Sequence, residues 1–214
     1  MTLQRYNLSV FFNAYLSQGQ DMHLFFMQNK YRLSIIGIIL LGIIAFSFTP
    51  SGLYVAQAQG TLPFSENFSA FTGAGFDTTP AAGQLDSDTW RITGFSDGSM
   101  TFGSTNITGD FARGTSTGGV TTSGVYAFNV GAGNIILGIQ PGGTDFTPGT
   151  ITLRIQNNTG SPITDLNVAY DIFHLNDQPR GNTLNFAYST DDITYTSVNA
   201  LNFTTADVAD VLGW

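Results

Sequence analysis

The chain has 214 residues, no cysteine, and seven Lys+Arg against fifteen Asp+Glu, a formal net charge of −8. Without cysteine there are no disulfide staples and no thiolate chemistry. So few cations among so many carboxylates argue against a phosphate-backbone binder, and a chain rich in Gly, Thr, Ser and Asn is poor in helix formers.

In chain order, the first landmark is an apolar run over residues 33–48, LSIIGIILLGIIAFSF, preceded by Lys30 and Arg32 and followed by Ala56-Gln57-Ala58. A basic flank, an apolar core and small residues at the first and third places of a cleavage site read as a secretory signal peptide with a signal helix, cut after Ala58. The run is 16 residues long, short of the roughly 20 that span a bilayer. An uncleaved anchor is the rival reading and would still hold the following domain outside the cytoplasm. The basic flank lies far from the first residue, and Met27 makes a better-placed start. Residues 1–26 therefore read as a doubtful extension, 27–58 as the signal peptide and 59–214 as one domain. The alternative for 1–26 is a long basic region of the same leader.

Residues 59–214 hold four arginines, no lysine, thirteen aspartates and Glu66, a net charge of −10. That is enough chain to bury a core without staples. Strands are expected at 62–68, around Trp90 and Ile92, around Met100 and Phe102, at 125–130 and at 134–139, with a long Gly/Ser/Thr segment over 103–124 as a flexible or meandering edge. The clearest block is 150–192. Ile151, Leu153 and Ile155 alternate with Thr152, Arg154 and Gln156, and Leu166, Val168, Tyr170 and Ile172 alternate with Asn167, Ala169, Asp171 and Phe173. Leu184, Phe186 and Tyr188 then alternate with Asn185, Ala187 and Ser189. Period two places one apolar face on each of three antiparallel strands. Short strands follow at 194–198 and 201–203, and 204–212 is a helical turn or loop. About nine short strands at 8–12 residue spacing predict an all-β, antiparallel two-sheet β-sandwich.

Several segments follow one another in a recognisable order: GVYAFNVG (124–131), ILGIQPGG (136–143), IQNNTGSPITDLNVAYD (155–171), LNFAYSTD (184–191) and VNALNFT (198–204). Together they resemble a jelly-roll-like N-terminal domain of secreted bacterial proteins, found ahead of lamin-tail, nuclease/phosphoesterase or surface-sorting modules. The resemblance covers roughly residues 62–204. It implies a jelly-roll sandwich and brings no defined catalytic residues. The chain departs from the pattern at 173–177, where Phe173-His174-Leu175-Asn176-Asp177 replaces an acidic-aromatic-Arg segment and Arg180 comes later. Relatives also continue into further Trp-rich strands, so the expectation is a domain incomplete at its C-terminal end.

The chemistry of single residues is thin. His174 is the sole histidine after residue 58. Asp171, Asp177 and serines lie near it, but a half-exposed histidine at a strand end has the same look. One histidine without cysteine leaves zinc only mixed carboxylate ligation. Glu66 with Asp171 or Asp177 could form a glycosidase pair, although no spacing favours either. Loop aspartates Asp86, Asp88, Asp97, Asp177, Asp191 and Asp192 could ligate a structural Ca²⁺, of which Asp86, Asp88, Asp191 and Asp192 are the candidates carried forward; Asx-turns are the alternative. Phe173, His174 and Arg180 are the candidate ligand-binding residues. Trp90, Tyr126, Tyr195 and Trp214 are further aromatics that could stack on sugars, with burial in a core as the plainer role.

The expected function is a non-catalytic secreted module of a larger extracellular or cell-surface protein, not an enzyme. It would act in interaction or adhesion, with extracellular glycan or cell-surface polymer as partner. No cofactor is expected beyond that structural Ca²⁺, no nucleic acid, no membrane after signal cleavage, and a monomer as an isolated domain. The alternative is a secreted polysaccharide hydrolase, or the appendage of a nuclease or phosphoesterase.

Overall fold

The computed structural model describes residues 9–12, 21–22, 60–157, 163, 165–176, 179, 181–209 and 213–214. The expected signal helix, its cleavage site, Asp177 and Arg180 lie outside the described residues. Among the described residues, no helix is long and apolar enough to cross a membrane.

The described chain is all-β. Its strands are β1 (Ser9–Phe12), β2 (Asp21–Met22), β3 (Gly60–Thr61), β4 (Phe76–Asp77), β5 (Leu85–Asp86), β6 (Trp90–Thr93) and β7 (Thr115–Ser116). They continue with β8 (Gly124–Asn129), β9 (Ile135–Gln140), β10 (Gly149–Leu153), β11 (Ile155–Gln156), β12 (Thr183–Ser189), β13 (Tyr195–Ser197) and β14 (Phe203–Thr204). Two single-turn 3₁₀ helices, Gly109–Phe111 and Asn199–Leu201, interrupt them. The largest sheet runs β13-β12-β1-β10-β6, with β14 also on β12; smaller sheets are β2-β11-β3, β4-β5 and β7-β8-β9.

The expected antiparallel order is only partly met. Pairs β6–β10, β8–β9, β12–β13 and β12–β14 are antiparallel, whereas β1 runs parallel to both β10 and β12. The pairs β3–β11, β4–β5 and β7–β8 are parallel as well. These short bridges join segments that are not hairpin neighbours, so no tight turn imposes an antiparallel return.

Period two explains the best-formed ladder. Trp90 faces Leu153 and Ile92 faces Ile151 across β6–β10, all four buried. Arg91 faces Thr152 and Thr93 faces Thr150 on the opposite side, where the two threonine hydroxyls meet at 2.6 Å. On β8, Val125 and Ala127 enter the same core as Leu137 of β9. Tyr126 and Phe128 point the other way, stack at 5.2 Å, and are covered by Trp214, whose ring lies 5.1 Å from Phe128. One core therefore gathers residues from β6, β8, β9, β10, β11 and β12.

Four expected segments differ. The strand expected around Met100 and Phe102 does not form; Met100 is buried in the core without a ladder. Residues 62–68 are not a strand; Phe64 and Phe68 instead pack their rings on Trp90, at 6.3 and 5.4 Å. Residues 103–124 are not a loose edge. Gly114 N–H donates to Gly73 C=O at 3.0 Å, and Asn106 and Phe76 exchange both backbone bonds at 2.9 Å. Residues 165–170 keep alternating burial and 171–173 are all half-buried, but the segment belongs to no ladder. Of the two readings expected for 204–212, residues 205–209 take the loop.

Candidate functional site

The most chemically dense region lies where the turn after β6 meets two distant aspartates. Asp145 accepts the Ser96 N–H at 2.6 Å, and its second carboxylate oxygen takes the Ser123 hydroxyl. Asp110 accepts the Asp97 N–H at 3.2 Å, while Asp97 accepts the Asp110 N–H at 2.9 Å. Arg113 closes the group: it donates to Asp110 at 2.6 Å and to the Ser123 carbonyl at 2.9 Å. Asp110 and Asp145 are buried. Burial alone would raise the Asp145 pKa, but the hydrogen bonds from Ser123 and Ser96 outweigh it and hold the carboxylate below its ordinary range.

The local sequence allows this because Gly109 sits at φ +61, where a Cβ would come within 2.0 Å of an Asp97 carboxylate oxygen. Beside the cluster is an open cleft of about 370 Å³ lined by Asp97, Thr105, Asn106, Ile107, Thr108 and Phe111. Each of the three carboxylates accepts from a donor that ties one loop to another. Among the described residues, no hydrogen bond joins the side chain of any of the three to a histidine or to another carboxyl group. The cluster clasps loops. Sequence reasoning named Asp97 but missed Asp110, Asp145, Ser123 and Arg113, because positions so far apart carry no spacing signal.

A second polar group lies on the outer face of β6 and β10. Arg91 forms two hydrogen bonds to Asp192, at 2.6 and 2.7 Å, and the Tyr195 hydroxyl donates to the same carboxylate. Burial opposes the Arg91 charge; the Asp192 hydrogen bonds and charge more than offset it and raise the guanidinium pKa. The Arg91 and Arg154 guanidiniums both lie over the Phe102 ring, at 4.5 and 4.4 Å, so one phenyl spaces two cations. Arg154 comes within 3.9 Å of Asp88.

The predicted calcium ligands are thus placed apart in role. Asp191 accepts the N–H groups of Ile193 and Thr194, at 2.9 and 2.7 Å, and the Ser189 hydroxyl at 2.9 Å, an Asx-turn. The Thr194 and Ile193 bonds hold its pKa down to about 2. Asp192 turns to Arg91. Asp86 accepts the Asp88 N–H at 2.8 Å, and burial raises its pKa. Among the described residues no group of three or more His, Asp or Glu could hold a metal.

His174 is half-buried with its ring 5.4 Å from Phe203, and Phe173 is half-buried beside it in the chain. Burial raises the Asp171 carboxyl. Glu66 accepts the Phe68 N–H at 2.7 Å and shapes the turn there. The aromatics named for sugar stacking are not displayed: Trp90 and Tyr126 are buried, Tyr195 serves Asp192, and Trp214 donates to Thr117 C=O at 2.7 Å while covering Phe128. Large hydrophobics exposed among the described residues are Ile107, Ile193 and Val208, none of them aromatic.

No family model, no curated protein and no solved structure matches this chain.

Proposed function

We propose that residues 59–214 form a non-catalytic interaction or adhesion module, a two-sheet jelly-roll-type sandwich exported by the preceding signal peptide and carried on a larger extracellular or cell-surface protein. The observation that carries the reading is the use of the loop carboxylates. Asp97, Asp110, Asp145, Asp191 and Asp192 each accept from a backbone amide, a hydroxyl or a guanidinium that fixes a loop. Loops clasped in this way suit recognition; a hydrolase would need a carboxyl group outside the clasps to exchange protons with substrate, and Asp171 is the one to test for it. Supporting the layered arrangement, strands of the β6–β10–β12 and β8–β9 sheets feed one core. The net charge of −10 over these residues favours neutral or cationic partners.

The test is binding of the secreted protein to a glycan array and to purified cell-surface polymer, with release of sugar ends assayed in the same samples. Binding without turnover is expected. Polymer cleavage that disappears in Asp171→Asn or Glu66→Gln, with the fold intact, overturns the reading in favour of a hydrolase.

A further inference from the structure

Residues 166–173, LNVAYDIF, have the side-chain pattern of a strand and none of its pairing. In sequence Leu166, Val168, Tyr170 and Ile172 alternate with Asn167, Ala169, Asp171 and Phe173. In the structure Val168 and Tyr170 are buried, Leu166 and Ile172 pack against the core, and Asn167 and Ala169 are exposed. The pleat is therefore anchored by its apolar face. Yet the segment belongs to no sheet, and among the described residues the main-chain groups of Asn167, Val168, Ala169, Asp171, Ile172 and Phe173 make no hydrogen bond. Main-chain donors and acceptors are obligatory hydrogen-bonding groups, satisfied by water or by a partner. A run of them on a segment anchored with the period-two burial of a strand is a template for an added strand.

We infer that residues 166–173 are an acceptor edge for an extended strand of a partner polypeptide with lysine or arginine flanks. The inference rests on the interaction-module reading and names the partner's class. Charge selects the occupant. Asp171 lies on the edge, and the surrounding domain carries −10. A second copy of this chain would bring the same charge to the same place, whereas a strand with cationic ends is steered in and held. The ladder supplies affinity without reading side chains, and the alternate side chains of the incoming strand set selectivity.

The experiment uses the full chain, isotope-labelled, and follows amide hydrogen exchange at residues 166–173. The probe is a synthetic alternating Thr-Val peptide of about eight residues, a common strand length, with a lysine at each end. Because a single added strand bonds only alternate residues, addition of the peptide is expected to slow exchange at Asn167, Ala169 and Asp171, the amides of one edge, by about tenfold or more, and to leave Val168 and Ile172 unchanged. The same peptide with every amide N-methylated has no donor on either edge and is expected to change nothing. The Ala169→Pro chain, which lacks one edge N–H, is expected to lose the response, and Ala169→Ser to retain it. Slow exchange at these positions in the free chain, or no change with the unmethylated peptide, overturns the inference. Protection that appears with protein concentration alone assigns the edge to a second copy and overturns the choice of partner. If the peptide fails while cell-surface polymer still binds, the acceptor edge falls and the interaction reading stands. Catalytic turnover with peptide protection intact has the reverse meaning.

Discussion

Arg91 and Asp192 lie 101 positions apart in the chain and meet through two parallel hydrogen bonds of 2.6 and 2.7 Å. The pair ties the outer face of β6 to the turn before β13, so it locks two edges of the largest sheet. Both side chains are mostly shielded from water, with 18% and 30% exposure. A two-pronged guanidinium–carboxylate contact is stronger and more directional than an ordinary surface ion pair. Asp192 sits at φ +55, a conformation that asparagine also tolerates. Asp192→Asn should therefore keep the turn and lose the ion pair, lowering unfolding free energy by about 1–3 kcal/mol. Urea titration measures this. A double-mutant cycle with Arg91→Met should return a coupling of about 0.5–3 kcal/mol; a coupling of zero would mean that Asp192 stabilises only its own turn.

That contact also shows what the sequence could and could not reveal. Alternation in ITLRI assigns Ile151 and Leu153 to the core and Thr152 and Arg154 to the other face, and the structure follows it, because a strand face is a local property. Asp191 and Asp192 read as adjacent oxygen ligands, and the structure gives one to an Asx-turn and the other to a distant arginine. Partner choice across 101 positions leaves no trace in local spacing. The Gly/Thr-rich stretch over 103–124 reads as loose by composition. Its glycines instead permit close backbone approach, as where Gly114 meets Gly73. In 166–173 the apolar parity was legible and the ladder was not, since pairing depends on which strand lies alongside.

Gly109 is the backbone condition for the clasp between Asp97 and Asp110. Its φ of +61 disfavours any side chain, and a Cβ there would approach an Asp97 carboxylate oxygen to 2.0 Å. Gly109→Ala should push the Asp97 carboxylate from the Asp110 amide and strain the 3₁₀ turn. The expected cost is about 1–3 kcal/mol. Thermal unfolding should show a lower Tm, and amide exchange should quicken at Asp97 and Asp110 while β6 and β10 stay protected. Unchanged exchange at those two amides would show that the clasp does not depend on the glycine.

The alkaline limb of stability should report Tyr195. Burial, and then its hydrogen bond to the Asp192 carboxylate, push the phenol up to about 12 from an ordinary value near 10. The folded state thus holds the proton more tightly than the unfolded chain. By linkage, the stabilisation is complete below about pH 10, where the phenol is protonated in both states, and is lost as pH rises toward about 12. Tyr170 is also raised by burial and contributes in the same direction. Unfolding free energy measured from pH 8 to pH 12 should therefore fall on the alkaline side. Tyr195→Phe should be less stable at neutral pH, having lost the Asp192 contact, and should show a shallower alkaline decline because one titrating group is gone. If the decline keeps its full slope in Tyr195→Phe and disappears in Tyr170→Phe, the phenol that couples folding to pH is the one buried against Phe186, and the Tyr195 contact has no measurable part in it.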